Sequence, residues 1–310
     1  MESLNTNNKQ SSSGEFDLKD ILILVWKHKP FVFFTTSLGI LISVIYSLLI
    51  PNTYISYSKL LPVSDSESMT SRASQYGGIA QLAGIQVSSG SSKSKEAIEK
   101  LKSFKFFQNQ INTDDSYLSS NFFAAKTWNE ELNKIDYDDS LYDENKRIWL
   151  MKEPSKRKTF EAFESRLTIM ENKKTSLVTI SFEHISPFFA KEILDKVIYE
   201  INESARNQDE IEANKSIQYL NEQISRTNIN EIKDILSELL KSEMQKITLV
   251  KAKEDYIFQV IDPAFVPEIK SAPRRSYIVI VGTFISFFSS LIFLLIFNFF
   301  KDTKTKLREN

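Results

Sequence analysis

Phe31–Ile50 reads FVFFTTSLGILISVIYSLLI, twenty residues without a charge, and Tyr277–Phe300 reads YIVIVGTFISFFSSLIFLLIFNFF, twenty-four residues whose only strongly polar member is Asn298. The hydrocarbon core of a bilayer takes about 20 apolar residues of helix, and Lys or Arg flanks both runs. Two runs of this length, one near each end, speak against core helices of a soluble protein, which are usually shorter. The first run exceeds the apolar stretch of a signal peptide, follows thirty residues of chain and is not followed by a small-x-small site, so it reads as a retained anchor. The chain divides into a tail (1–30), a span (31–50), a loop (51–276), a span (277–300) and a short tail (301–310).

The 310 residues carry 39 Lys+Arg and 40 Asp+Glu, for a net charge of −1. A nucleic-acid binder usually shows a basic excess, and none is present. The absence of cysteine excludes disulfides, thiolate metal sites and a Cys nucleophile. Two histidines, His28 and His184, and seven glycines leave little for a His-based metal site, a catalytic triad or a phosphate-cradling loop. Each tail holds four basic residues, against Lys59, Lys270, Arg274 and Arg275 at the loop ends. That bias sets both termini in the cytoplasm and exports the loop.

Within the loop, Thr53–Val63 mixes β-branched and aromatic residues with partial alternation and reads as a strand. Ser64–Ser74 is a polar loop or helix start, Ile79–Ile85 a short apolar segment, and Ser88–Ser94 a flexible linker by composition. Lys95–Ile111 and Ser155–Asn172 show the 3-and-4 spacing of amphipathic helices, the second through Phe160, Phe163, Leu167 and Met170. Ser176–His184 alternates as a strand, and Pro187 opens a helix to about Asn207. From Ser216 to Val250 an apolar stripe continues, and no proline or glycine interrupts 188–262, so a long helix is expected over about 204–252, in want of a coiled-coil partner. Tyr256–Val266 reads as a last strand. The fold class is α+β: two transmembrane helices flank a domain with a small, membrane-proximal mixed α/β base and long extended helices.

In this order the segments resemble the Wzz chain-length determinant family, the non-kinase polysaccharide co-polymerases of bacterial inner membranes. The resemblance is carried by Asp17-Leu18-Lys19-Asp20-Ile21 and Trp26-Lys27 before the first span, and by Pro51-Asn52-Thr53-Tyr54 after it. It continues through Ile79–Lys102, then Val178–Phe182 with His184-Ile185-Ser186-Pro187, Ile201-Asn202 near that helix's end, and Ser216–Leu220. It closes on the proline-rich run Val260-Ile261-Asp262-Pro263-Ala264, Pro267, Pro273, Arg274 and Arg275; residues 112–154 carry little of it. The resemblance implies a homo-oligomeric ring or cage with its main domain in the periplasm. It implies partnership with a Wzy-type polymerase and lipid-linked polysaccharide, and control of O-antigen chain length in lipopolysaccharide biosynthesis. No catalysis and no cofactor are expected. The kinase relatives carry a nucleotide-binding domain; this sequence has no G-x-x-x-x-G-K-[ST]. The competing reading is a two-span sensor or export adaptor whose output domain is a separate protein, since tails of thirty and ten residues hold none. A periplasmic enzyme is a third, but no spacing marks an acid/base pair.

Three groups of residues stand as candidate sites. Gly39, Ser43, Ser47 and Gly282, Ser286, Ser290 recur every four residues, making small-residue stripes on which helices pack closely; the alternative is that the serines bond back to their own helices. Arg274 and Arg275, beside the second span, suit lipid or pyrophosphate phosphates, or serve as interfacial anchors. Pro263, Ala264, Pro267 and Pro273 form the family's proline-rich motif. The acidic stretch Asp136–Glu144 has Leu141 and Arg147 where an EF-hand started at Asp136 needs Gly and Glu, and reads as a solvated face. His184 has no visible metal partner and is expected to be structural.

Overall fold

The computed structural model describes residues 25–63, 90–253 and 255–306. These fall into two units, residues of 1–50 with 272–310, and residues of 51–271. The segments 64–74 and 79–85 lie outside the described residues.

The first unit pairs α1 (Lys29–Leu49) with a long helix, Arg275–Lys306, that closes the chain. Both are long and apolar enough to cross a membrane. Their large side chains, among them Phe33, Leu41, Leu49, Phe284 and Phe293, are mostly exposed, as on helices surrounded by lipid.

The second unit is built on a four-stranded antiparallel sheet. Its strands are β1 (Tyr54–Pro62), then, after the four strands of two small hairpins, β6 (Leu167–Glu171), β7 (Val178–His184) and β8 (Phe258–Asp262). The spatial order is β6-β7-β1-β8, with Tyr54 opposite His184 and Leu60 opposite Val178. Alternation along β7 buries Val178, Ile180, Phe182 and His184 on one face. The 40-residue helix Pro187–Arg226 packs on that face through Phe189, Ile193, Leu194, Val197 and Ile201. Its start is written locally: Ser186 Oγ accepts the Phe189 amide at 3.3 Å, and Pro187 fills the first turn, where no amide is needed.

The remaining elements close the core. They are α2 (Gly90–Leu101), a turn of helix and π-helix over 104–111, α3 (Asp115–Phe123) and α4 (Lys156–Arg166). Between α3 and α4 lie the hairpins β2 (Ala125–Asn129)/β3 (Lys134–Tyr137) and β4 (Tyr142–Asp143)/β5 (Ile148–Trp149). Phe107, Phe122, Phe160, Phe163, Phe182 and Phe258 form an aromatic centre, with Phe107–Phe163 at 5.0 Å. The helix Pro187–Arg226, here α5, is followed by α6 (Asn230–Ala252), and the chain's last helix is α7.

Four sequence expectations are revised. The helix over about 204–252 is two helices: α5 begins upstream at Pro187, Thr227 and Ile229 take extended backbone, and α6 returns antiparallel beside α5. Lys251 Nζ meets Glu210 at 3.1 Å, and Arg206 donates to Lys253 O at 2.8 Å. The partner that the stripe wanted is therefore in the same chain, with Ala213, Leu220 and Val250 buried. Ser88–Ser94 is not wholly linker, since α2 starts at Gly90. The Lys95–Ile111 helix is broken at Ser103, whose hydroxyl accepts the Phe106 amide and caps a new turn. The helix expected to reach Asn172 stops at Arg166, because Leu167–Glu171 pairs with β7 as an edge strand.

Candidate functional site

The small-residue stripes face each other within the first unit. A Cβ on Gly39 would collide with the Cβ and Oγ of Ser286, and one on Gly282 with those of Ser43. Phe31 stacks on Phe293 at 5.5 Å, which with those pairs sets α1 and α7 antiparallel. Ser286 donates across the pair to Thr35 O at 2.9 Å. Ser43 and Ser290 instead donate back to Gly39 O and Phe287 O, at 2.8 and 2.7 Å. Ser286 thus bonds across to the facing helix, whereas Ser43 and Ser290 bond within their own. Ser47 is buried, and its hydroxyl finds no partner among the described residues. Beside the contact runs a cleft of about 480 Å³ walled by Phe31, Thr35, Ile42, Ile285, Ser289 and Phe293.

The proline-rich candidates fall into two places. Ala264 and Pro267 are buried in the second unit and Pro263 is exposed, just past β8. There the Phe265 carbonyl accepts Ser56 Oγ at 2.7 Å, and the Phe265 ring packs edge-on to Tyr57 at 4.7 Å. Pro273 follows a cis peptide bond in the first unit. Arg274 is exposed and Arg275 half-buried at the start of α7.

His184 is buried with both ring nitrogens engaged. Nε2 donates to Asn121 O at 2.9 Å, and Nδ1 accepts the Ser186 amide at 3.1 Å. Burial pushes its pKa down to about 4, helped by the Arg166 charge and opposed by the Asn121 carbonyl. An unfolded histidine titrates near 6.5. The neutral ring therefore contributes stability that is complete above pH ~6.5 and is lost as pH falls through about 4. Thermal melts of the full chain between those values will show a steeper loss for the native protein than for His184→Gln; parallel profiles would remove this role.

Sequence reading missed two arrangements. Asn202 lies in mid-helix on α5, not near its end, and clamps the start of β8. Its Oδ1 accepts the amides of Ile257 and Phe258 at 2.9 Å each, and its Nδ2 donates to Phe258 O at 3.1 Å. Where α2, α5 and α6 meet, Asp209 takes Lys93 Nζ at 2.9 Å and the Tyr256 hydroxyl. Burial pushes the Asp209 carboxyl up, but these donors outweigh it and its pKa is lowered. Nearby Glu243 is raised, first by burial, and its Oε2 accepts no hydrogen bond from the described residues. Single polar residues inside a helix give no pattern that marks either role.

The acidic stretch is tied up locally. Asp138 accepts the Ser140 hydroxyl and amide and meets Lys126 at 3.1 Å, which holds its pKa near 2; Asp143 accepts the Lys146 amide. Among the described residues no group of three or more His, Asp or Glu is placed to hold a metal.

Residues 14–130 match the model of one protein family, the chain length determinant proteins, Wzz. No curated protein sequence matches the chain. Among solved structures, one similar chain is a full-length bacterial polysaccharide co-polymerase, 13% identical over 92% of this chain and 99% of that one, with a TM-score of 0.43. Another is a fragment of WzzB, a polysaccharide co-polymerase from Salmonella Typhimurium, 13% identical over 71% of this chain and 100% of that one, with a TM-score of 0.33. The matched residues hold the first apolar helix, β1, α2 and α3, so that stretch of the chain is similar to the chain length determinant proteins.

Proposed function

We propose that the protein is a non-catalytic, oligomeric regulator of surface polysaccharide chain length, acting with a Wzy-type polymerase at the bacterial inner membrane. The observation that carries this reading is the match of residues 14–130 to the chain length determinant family. The two apolar helices support a two-span protein, and the Lys and Arg of both tails support cytoplasmic termini and a periplasmic 51–271 unit. The product is O-antigen of lipopolysaccharide, and the lipid-linked polymer is the ligand that the ring or cage of copies meets. Its action is on the length of the product and not on bond making. The Gly39 and Gly282 stripes pack the spans, and Arg274 and Arg275 anchor the second span among lipid phosphates.

The test is the length distribution of surface polysaccharide, resolved on a gel, in a host with the gene deleted and then restored. Loss of a modal cluster on deletion and its return on restoration is the expected result. An unchanged ladder would reject length control and favour an adaptor or sensor that works through a separate protein.

A further inference from the structure

Both chain connections of the 51–271 unit leave from one end of β1. Tyr54 stands five residues beyond Leu49, the last of α1, and Ser271 four residues before Arg275, the first of α7. The Ser271 amide donates to Thr53 O at 2.8 Å, and the Ser271 hydroxyl accepts the Ile55 amide at 3.2 Å, so the two strands of chain are tied together there. Four or five extended residues reach at most about 18 Å.

The same end carries an unusual set of side chains. Trp128, at the tip of the β2–β3 hairpin, packs edge-on to Tyr54 at 5.4 Å and against Phe188 at 6.1 Å. Its indole N–H donates to Asn133 Oδ1 at 3.2 Å, and the Leu132 amide donates to Asn129 Oδ1 at 3.0 Å, which fixes the turn around the indole. Asn133 takes the left-handed backbone that closes it, with φ of 47°. Around this aromatic cluster Leu132 is 72% exposed and Phe188 45%, and Ile269, two residues from Ser271, is 80% exposed. Singly, exposed apolar residues are ordinary; gathered at one end they mark an interaction surface.

We propose that this rim rests in the interfacial layer of the bilayer that α1 and α7 cross, with Trp128 and Tyr54 at headgroup depth and Leu132 and Ile269 at the acyl boundary. The rim is covalently continuous, on both sides, with the lipid-facing helices. Trp and Tyr are the residues that favour this layer. Its charges are mixed, Glu130, Glu131 and Glu268 standing among Lys134 and Lys270, so the attraction is to the apolar boundary and not to anionic headgroups.

The native chain has no cysteine, so Leu132→Cys, Ile269→Cys and Tyr219→Cys each give one spin-label site in the full-length protein, in phosphatidylcholine vesicles. Tyr219 is exposed on α5, 31 residues beyond Phe188, or about 46 Å along the helix. Labels at 132 and 269 will be relaxed several-fold more by oxygen, relative to a water-soluble nickel chelate, than the label at 219. Adding phosphatidylglycerol will leave those ratios unchanged. Ratios at 132 and 269 equal to that at 219 would overturn the proposal, as would labels reached by neither relaxant, which would mean that a second copy covers the rim. A label at Leu41→Cys, exposed on α1, tests the span reading separately; a water-exposed label there would overturn both.

Discussion

Asn202→Ala and Asn202→Leu will both destabilise the 51–271 unit by about 3 kcal/mol, with melting midpoints lower by about 6–12 °C. Asn202 is 7% exposed and satisfies three backbone groups where the chain enters β8. β8 is an edge strand of the sheet, and the ladder of β1 reaches it from one side only, through pairs such as Leu60 with Val260 and Pro62 with Phe258. The amides of Ile257 and Phe258 lie in a buried corner, Phe258 itself being fully enclosed. Removing their acceptor leaves two buried donors and one acceptor without partners, and each such group costs about 1–3 kcal/mol. The comparison of the two variants isolates the bonds. Leucine, though bulkier, shares asparagine's heavy-atom skeleton branched at Cγ and fills the space that alanine would leave, so packing alone predicts that Asn202→Leu loses less than Asn202→Ala. Melts of the full chain in detergent decide: a Leu variant within a degree or two of native would show that Asn202 only fills space.

The parts of the fold that follow from periodicity were legible in sequence. Uninterrupted apolar runs mark α1 and α7, alternation from Val178 to His184 marks β7, and Ser186-Pro187 marks the start of α5. The parts that depend on where the chain turns were not. The break at Thr227-Asn228-Ile229 contains neither Gly nor Pro; it exists because folding α6 back on α5 buries Leu220 and Val250 within one chain. Leu167 and Met170 continue the spacing of Phe160 and Phe163, yet Leu167–Glu171 is a strand, because the open edge of β7 offers backbone partners that a helix could not use. The hairpins over 125–149 are closed by Asn133 and Arg147 in left-handed backbone; Asn is common there, while Arg gives no such signal. Among candidate sites, the four-residue spacing of the small residues falls where α1 and α7 approach, at Gly39 with Ser286 and Gly282 with Ser43. It could not say which serine bonds across, since that depends on Ser286 lying over Thr35 O.

Gly39→Leu or Gly282→Leu will force α1 and α7 apart. The two glycines oppose Ser286 and Ser43 in reciprocal pairs one helical turn apart, and in each pair even a single added Cβ meets both side-chain atoms of the facing serine. No rotamer of the new residue avoids this, because Cβ is fixed by the backbone. The cost is that of overpacking, about 1–3 kcal/mol, and the double variant will cost less than the sum, because one outward shift relieves both clashes. With no native cysteine to interfere, a short bifunctional thiol reagent joining Phe31→Cys to Phe293→Cys, whose native rings stack at 5.5 Å, reads the separation. Cross-linking in the full chain will fall several-fold in either Leu variant, and the oligomer distribution in detergent will shift with it. Leu41→Ala, on the exposed face of α1, will leave both unchanged. Steric origin is settled by exchange. Gly39→Ala alone will lower cross-linking, and Gly39→Ala with Ser286→Gly will recover most of it, since small and large residues have only traded sides. Recovery will fall short by the Ser286–Thr35 hydrogen bond, about 0.6 kcal/mol for a bond between membrane helices. Cross-linking that is native in Gly39→Leu, or that the exchange does not improve, would show that the glycines do not set the helix contact.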